Sequence, residues 1–162
     1  MLKRCPAQKT VYVDGLAASI ASVIAMAGDK IVMPSNAFLM IHKAWNIAMG
    51  NADDMRKMAD DLDTIDEGIL NVYADNMKDG TDINDIKNMV SNETWLNGKD
   101  AANYFNIDVT EGNKAAASIS NLSNYKNVPQ ELVQAAAPPE DPDGKETAEM
   151  ELLKAKLALE CA

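Results

Sequence analysis

Apolar positions along the chain follow two rhythms. Residues 10–13 (Thr-Val-Tyr-Val), 31–33 (Ile-Val-Met) and 37–42 (Ala-Phe-Leu-Met-Ile-His) are short runs dominated by apolar, β-branched or aromatic side chains. Such runs suit strands covered on both faces, as in α/β architectures. Asp14-Gly15 breaks the first run, and Pro34-Ser35-Asn36 separates the other two. Between them, residues 16–27 are rich in Ala with Ile, Val and Met. Their length and alanine content favour a buried helix closed by Gly28. Strand, helix, strand, strand is the order predicted for the first quarter.

The second rhythm is helical. Met55, Met58, Leu62, Ile65, Ile69, Val72 and Met77 recur three or four apart, with Tyr73 beside them and Asp, Lys and Glu on the opposite face. This predicts a long amphipathic helix capped by Asn51, with Asp53 and Asp54 in its positive first turn. It should run to about Lys78 and stop at Gly80. Its apolar face needs a sheet or another subunit, and its charged face reads as solvated. The preceding loop, 43–50, carries an exposed Trp45. Thr81 is expected to cap a short helix through Val90. Residues 91–96 read as a connector bearing Trp95. Asn97 then caps a helix over 98–105, and Ile107 and Val109 mark a short strand.

Beyond residue 110 the composition changes. Residues 111–137 form a polar connector with a brief helix begun by Pro129. Residues 138–144 (Pro-Pro-Glu-Asp-Pro-Asp-Gly) are a stiff acidic linker. In 145–162, Ala148, Leu152, Ala155 and Leu159 make the stripe of a last amphipathic helix, too short to be stable alone in water. The expected division is therefore a main domain over 1–110, then connector, linker and tail helix.

Composition narrows the function classes. The 162 residues suffice for one core-bearing domain with a short appendage. A net charge of −10 disfavours nucleic acid, whose binding needs Lys and Arg to neutralise phosphates. Cys5 and Cys161 stand near opposite ends, which makes neither a disulfide framework nor a zinc site. Free thiols fit a reducing cytoplasm. The longest apolar run, 16–27, is shorter than the ~20 residues a membrane helix needs, and no apolar segment follows the basic first residues as in a signal peptide. No membrane association is expected.

The candidate chemistry lies in Gly15-Leu16-Ala17-Ala18-Ser19, a serine among small residues, and in His42, the single histidine, at the end of an apolar strand. A serine hydroxyl attacks poorly until a base takes its proton. Imidazole suits that role because it titrates near neutrality. A carboxylate must orient the imidazole, and backbone N–H groups must stabilise the oxyanion. A serine at a helix N-terminus has one such donor at hand, the N–H of Ile20. From spacing alone, a serine among alanines is more often a packing or capping residue, and a histidine after an apolar strand more often a core or surface one. Glu93, before Trp95, is more often a solvated acid flanking a helix.

The ordered blocks carry more. Gly15-Leu16-Ala17-Ala18-Ser19, then Ala27-Gly28-Asp29-Lys30, Pro34-Ser35-Asn36-Ala37 and Met40-Ile41-His42 resemble the proteolytic subunit of the Clp protease. Gly50-Asn51-Ala52-Asp53-Asp54-Met55-Arg56-Lys57, Glu93-Thr94-Trp95-Leu96 and the short segment from Asp100 to Tyr104 resemble more closely the ClpP-type head maturation (prohead) proteases of tailed phages and prophages. The resemblance covers roughly residues 8–110. It implies an α/β fold of the ClpP/crotonase type, a spiral of repeated β-β-α units, here partial and followed by a helical tail. It implies a serine endopeptidase with Ser19 as nucleophile, His42 as base, Glu93 as triad acid and the N–H of Ile20 as oxyanion donor. Asn92 and Asp100 are nearby alternatives to Glu93, which stands where Clp subunits have Asp.

It further implies no metal or cofactor, protein substrates such as capsid or scaffold protein, a homo-oligomeric ring built through the long helix, and action in the cytoplasm or a procapsid. Ala21 replaces a frequent Gly, and Phe105 replaces the Gly that ends the helix before the last strand, leaving Asn106 as the expected left-handed residue. Family members carry a Gly-Gly turn upstream that supplies a second oxyanion donor. Nothing like it precedes Thr10, and residues 1–9 resemble the end of the helix that should follow that turn. The chain is thus expected to be N-terminally truncated. The competing reading is a catalytically inactive ClpP-fold protein serving only in assembly. Acyl-CoA chemistry of the crotonase branch is disfavoured, because it uses no such serine–histidine pair.

Overall fold

The computed structural model describes residues 2–112 and 125–136. After a single 3-10 turn at Leu2–Arg4, the order is β1 (Thr10–Tyr12), β2 (Leu16–Ala18), α1 (Ile20–Ala25), β3 (Lys30–Pro34), β4 (Phe38–Ile41), α2 (Ala52–Ala74), α3 (Ile83–Ser91), β5 (Thr94–Asn97), α4 (Gly98–Tyr104), β6 (Asp108–Thr110) and α5 (Gln130–Ala136). The linker at 138–144 and the tail helix expected over 145–162 lie outside the described residues.

Two three-stranded sheets share the strands in a regular way. β1, β3 and β6 form one parallel sheet, in the order β1-β3-β6. The other has the order β2-β4-β5, with β2 parallel and β5 antiparallel to β4. Each pair of successive strands gives its first member to one sheet and its second to the other. α1 returns the chain from β2 to β3 in the first sheet, whereas α2 and α3 lead from β4 to β5 in the second, and α4 then carries it to β6 in the first. This is the β-β-α spiral of the ClpP/crotonase fold, an α/β architecture.

The corners between paired strands carry the breaker residues. Gly15 O accepts from Phe38 N at 2.7 Å, and Ala37 N donates to Pro34 O at 3.0 Å. Gly28 sits where a Cβ would lie 2.8 Å from Val11 Cγ2 and 2.9 Å from Lys30 O. It is there for close approach to β1, because α1 has already ended at Ala25.

Several boundaries differ from the sequence pattern. Residues 16–18, expected at the start of a helix, are the strand β2, and α1 starts only at Ile20. Pairing with β4 overrides the alanine propensity. The expected connector 91–96 contains the start of β5. Asp82, not Thr81, caps α3, accepting from Asn84 N. The long helix stops at Ala74, before Lys78. Asn106 does not take a left-handed conformation. Positive φ among non-glycine residues is confined, within the described residues, to Ser19, Glu93 and Asn127. Phe105 leaves α4 directly in an extended conformation, and Asn106 N donates to Asn76 O at 3.0 Å.

The core joins both sheets to the helices through Val13, Met26, Ile31, Met33, Leu39, Ile41, Tyr73, Ile86, Val90, Leu96 and Phe105. α2 is begun by a full capping box, Asn51 accepting from the N–H groups of Asp53 and Asp54 while Asp54 accepts from Asn51 N. At 23 residues it is about 34 Å long. Its later turns pack against the core through Ile69, Leu70, Val72 and Tyr73, whereas Met55 and Ile65 remain exposed. Asp66, a charged residue and so expected in solvent, is buried.

α4 begins hard against the β3–β4 corner. A Cβ on Gly98 would lie 2.3 Å from Pro34 O and 3.1 Å from Ser35 Cα, both of them backbone atoms. Gly98→Ala is therefore expected to lower the unfolding free energy by about 1–3 kcal/mol. A urea titration measures this, and an unchanged midpoint would refute the close approach.

Candidate active site

Ser19 stands between β2 and α1 in a sharp turn, with φ 56° and ψ −125°. A residue with a Cβ held at such a position stores about 1–3 kcal/mol of strain. Two sets of hydrogen bonds hold it there. Ser19 N donates to Met40 O at 3.0 Å, extending the β2–β4 ladder past its last strand pair. Ser19 O accepts from Ser22 N at 3.0 Å and from Ser22 Oγ at 2.5 Å. The turn leaves Ser19 Oγ without a capping role in α1. It lies instead 2.8 Å from His42 Nε2.

Strand register brings the pair together. Ala18 is aligned with Met40 in the parallel β2–β4 pair, so Ser19 and His42 leave neighbouring strands at the same end. That end, the carboxyl end of parallel strands, is where open α/β sheets place their sites. On the other side of β4, Ile41 is aligned with Thr94 in the antiparallel pair. One step further along that register sets Glu93 beside His42.

Glu93 and His42 are not hydrogen-bonded. Glu93, itself at φ 48°, accepts through Oε1 from the backbone N–H of Lys126. Trp95 Nε1 donates to Lys126 O at 2.9 Å. The ring of Tyr125 meets His42 edge-on, with centroids 6.0 Å apart, and meets Trp95 in the same way at 5.9 Å. The 125–126 segment thus touches both the histidine and the acid.

Half-burial pushes the His42 imidazole below its ordinary value, while the carboxylates of Glu93 and, less strongly, Asp66 pull it back up. A neutral imidazole at neutral pH is the form able to accept a proton from Ser19. Asp66 reaches the site from α2. Its Oδ1 accepts from Ala44 N at 2.7 Å, and its Oδ2 is 3.7 Å from Lys43 Nζ. It thereby anchors the backbone just after His42.

Ile20 is the first residue of α1, so its N–H has no carbonyl to bond within the helix. Of the two alternatives to Glu93, Asp100 Oδ2 accepts from Asn97 Nδ2 at 2.6 Å in the cap of α4, and Asn92 closes α3. Two clefts open at the pair. One, of about 610 Å³, is lined by His42, Trp45, Val90, Glu93 and Lys126 among others. The second, of about 210 Å³, includes Ser19, Ile20, Val23, Ile65, Ile69 and Tyr73. It is mainly apolar and suits one side chain of a bound peptide. Among the described residues no three His, Cys, Asp or Glu side chains cluster as metal ligands, and no helix is long and apolar enough to cross a membrane.

The sequence reading missed three polar residues here. Ser22 is fully buried and joins Ser19 O to the Tyr73 hydroxyl, 2.7 Å away. Tyr73, also buried, has its pKa pushed up to about 12 by that burial. Asp66 is the third. A signal was available for two of them: Ser22 lies three residues after Ser19, about one helical turn, and Asp66 falls inside the apolar stripe between Ile65 and Ile69.

A serine strained into a strand-to-helix turn, a neutral imidazole on its hydroxyl and an unused helix-start N–H beside it make a set able to attack a carbonyl. The chain also matches the profile of the Clp protease family over residues 1–111. That span is more than half of its length, and the chain belongs to the Clp protease family, a membership that implies a serine-type peptidase acting on proteins and, typically, ring-shaped oligomers.

Proposed function

We propose that this chain is a serine endopeptidase in which Ser19 is the nucleophile, His42 the base and Glu93 the acid. The observation that carries this reading is the 2.8 Å contact between Ser19 Oγ and His42 Nε2 at the strained turn. Ser19 Oγ attacks the peptide carbonyl while its proton passes to His42 Nε2. The tetrahedral oxyanion forms beside the N–H of Ile20. His42 then gives the proton to the departing amine, and the acyl group remains on Ser19. Water, deprotonated by His42, releases the acid and restores the serine. Glu93 favours the imidazolium through its charge.

The narrower role is head maturation in a phage or prophage, with capsid or scaffold protein as substrate and the cytoplasm or procapsid as the place of action. What supports it is the likeness of residues 50–57 and 93–96 to the phage enzymes. A homo-oligomeric ring fits the apolar side chains of Met55 and Ile65, left exposed on α2. One observation favours the non-catalytic alternative, an assembly protein on the same fold: Glu93 is bonded to Lys126 and not to His42.

A fluorophosphonate probe separates the two. Wild-type chain should be labelled, Ser19→Ala should not, and His42→Ala should react about 10²–10⁴-fold more slowly. Absence of Ser19-dependent labelling sinks the peptidase reading. The pH profile follows from His42. Its imidazole must be neutral to act as base, and burial lowers its pKa, so the labelling rate should rise with pH to a plateau with its midpoint below the ordinary 6.5. Glu93→Gln removes a charge that favours the imidazolium, so the midpoint should move lower still. A midpoint that rises in Glu93→Gln would refute the coupling.

A further inference from the structure

The carbonyl of Ser19 and the N–H of Ile20 belong to one peptide unit. It is trans, so the two groups point in opposite directions. Whatever holds the carbonyl therefore aims the N–H. The carbonyl is held from the protein interior. Ser22 Oγ lies 2.5 Å from it, and Tyr73 Oη lies 2.7 Å from Ser22 Oγ. The direction of these bonds is fixed by chemistry. Ser19 O can only accept, so Ser22 spends its one proton there and must accept the proton of Tyr73. With its pKa near 12, Tyr73 keeps that proton at every working pH.

The alternative orientation of this peptide unit is also readable. A half-turn of the unit would carry Ser19 from ψ −125° to about +55° at its φ of 56°. That is the left-handed region allowed to residues with a Cβ, whereas the observed combination is not. The same half-turn would carry φ of Ile20, a β-branched residue that opens α1, from its helical value to the positive range, and would turn the carbonyl toward the cleft and the Ile20 N–H inward. The observed form is held at the carbonyl by the hydroxyl chain together with Ser22 N, which donates to the same oxygen at 3.0 Å.

We propose that Ser22 and Tyr73 are positioning residues that hold the Ser19–Ile20 peptide unit in its strained orientation and so aim the oxyanion donor. This rests on the reading of Ser19 as nucleophile and Ile20 N–H as donor. Tyr73 belongs to the last turn of α2, so the end of that helix is tied to the nucleophile through one hydroxyl.

The test uses Ser22→Ala, Tyr73→Phe, the double variant and Ser22→Thr. Loss of one oxyanion donor typically costs about 10²–10³-fold in rate. Ser22→Ala should therefore label with fluorophosphonate at least tenfold more slowly, and Tyr73→Phe by a smaller factor. The double variant should be no slower than Ser22→Ala, because the two hydroxyls act in series. Ser22→Thr, which keeps the hydroxyl, should label faster than Ser22→Ala. The midpoint of the pH profile, set by His42, should stay in place in all four. Wild-type rates in both Ser22→Ala and Tyr73→Phe would overturn the inference. If the wild type itself is not labelled at Ser19, the nucleophile reading falls, and crystal structures decide the inference separately. A flipped Ser19–Ile20 peptide in Ser22→Ala supports it, and an unchanged one overturns it.

Discussion

The parallel pairing of β2 with β4 is the constraint on which the site depends. It aligns Ala18 with Met40 and carries one more bond, from Ser19 N to Met40 O, beyond the strand itself. That last bond ends the strand and forces the turn. Without it, a residue with a Cβ would have no reason to stay at φ 56°. The same central strand sets the acid on its other side, through antiparallel pairing with β5. One four-residue strand, β4, therefore fixes three functional positions, and its residues Leu39, Met40 and Ile41 are almost completely buried. A strand covered on both faces is held by packing on both, because a slip would draw a flanking polar residue into the interior.

Around this strand the interior is not purely apolar. Ser22, Tyr73 and Asp66 are buried, and each is matched to a partner. Among the described residues no buried side-chain polar atom lacks a hydrogen bond. A buried polar group without a partner costs about 1–3 kcal/mol. The satisfied set therefore has few alternative arrangements and adds rigidity where the backbone is strained. Asp66 pins the chain after the histidine, and Ser22 pins the chain after the serine. The two sides of the Ser19–His42 contact are each tied back to α2, by Asp66 in one case and by Tyr73 in the other.

Much of this was legible before any coordinates. The apolar runs at 31–33 and 37–42 read as strands because local propensity and tertiary need agree there. The capping signals of Asn51 and Asn97 act within three residues and were read correctly. Residues 16–18 were misread as helix because three residues of Leu and Ala carry a helical propensity that only a non-local partner, β4, overrides. The buried Asp66 was hidden for a similar reason. Its spacing marks the apolar face, but its charge marks the solvent face, and only the position of the 43–44 backbone resolves the conflict. The Glu93–Lys126 bond spans 33 residues and depends on a chain path that no local pattern encodes. Residue identity identified Ser19 and His42 as chemically apt, and register alone made them neighbours.

The solitary histidine has a thermodynamic consequence. Asp, Glu, Lys and Arg ordinarily keep their charges throughout mildly acidic and neutral solution. In this chain they leave the formal charge strongly negative there, with His42 the single imidazole. Between about pH 5.5 and 7, protons exchanged with the side chains are thus exchanged mainly at the candidate site. Proton release on ligand binding near about pH 6.5, followed by calorimetry in buffers of different ionisation enthalpy, would report the protonation of that one ring with little background from other side chains.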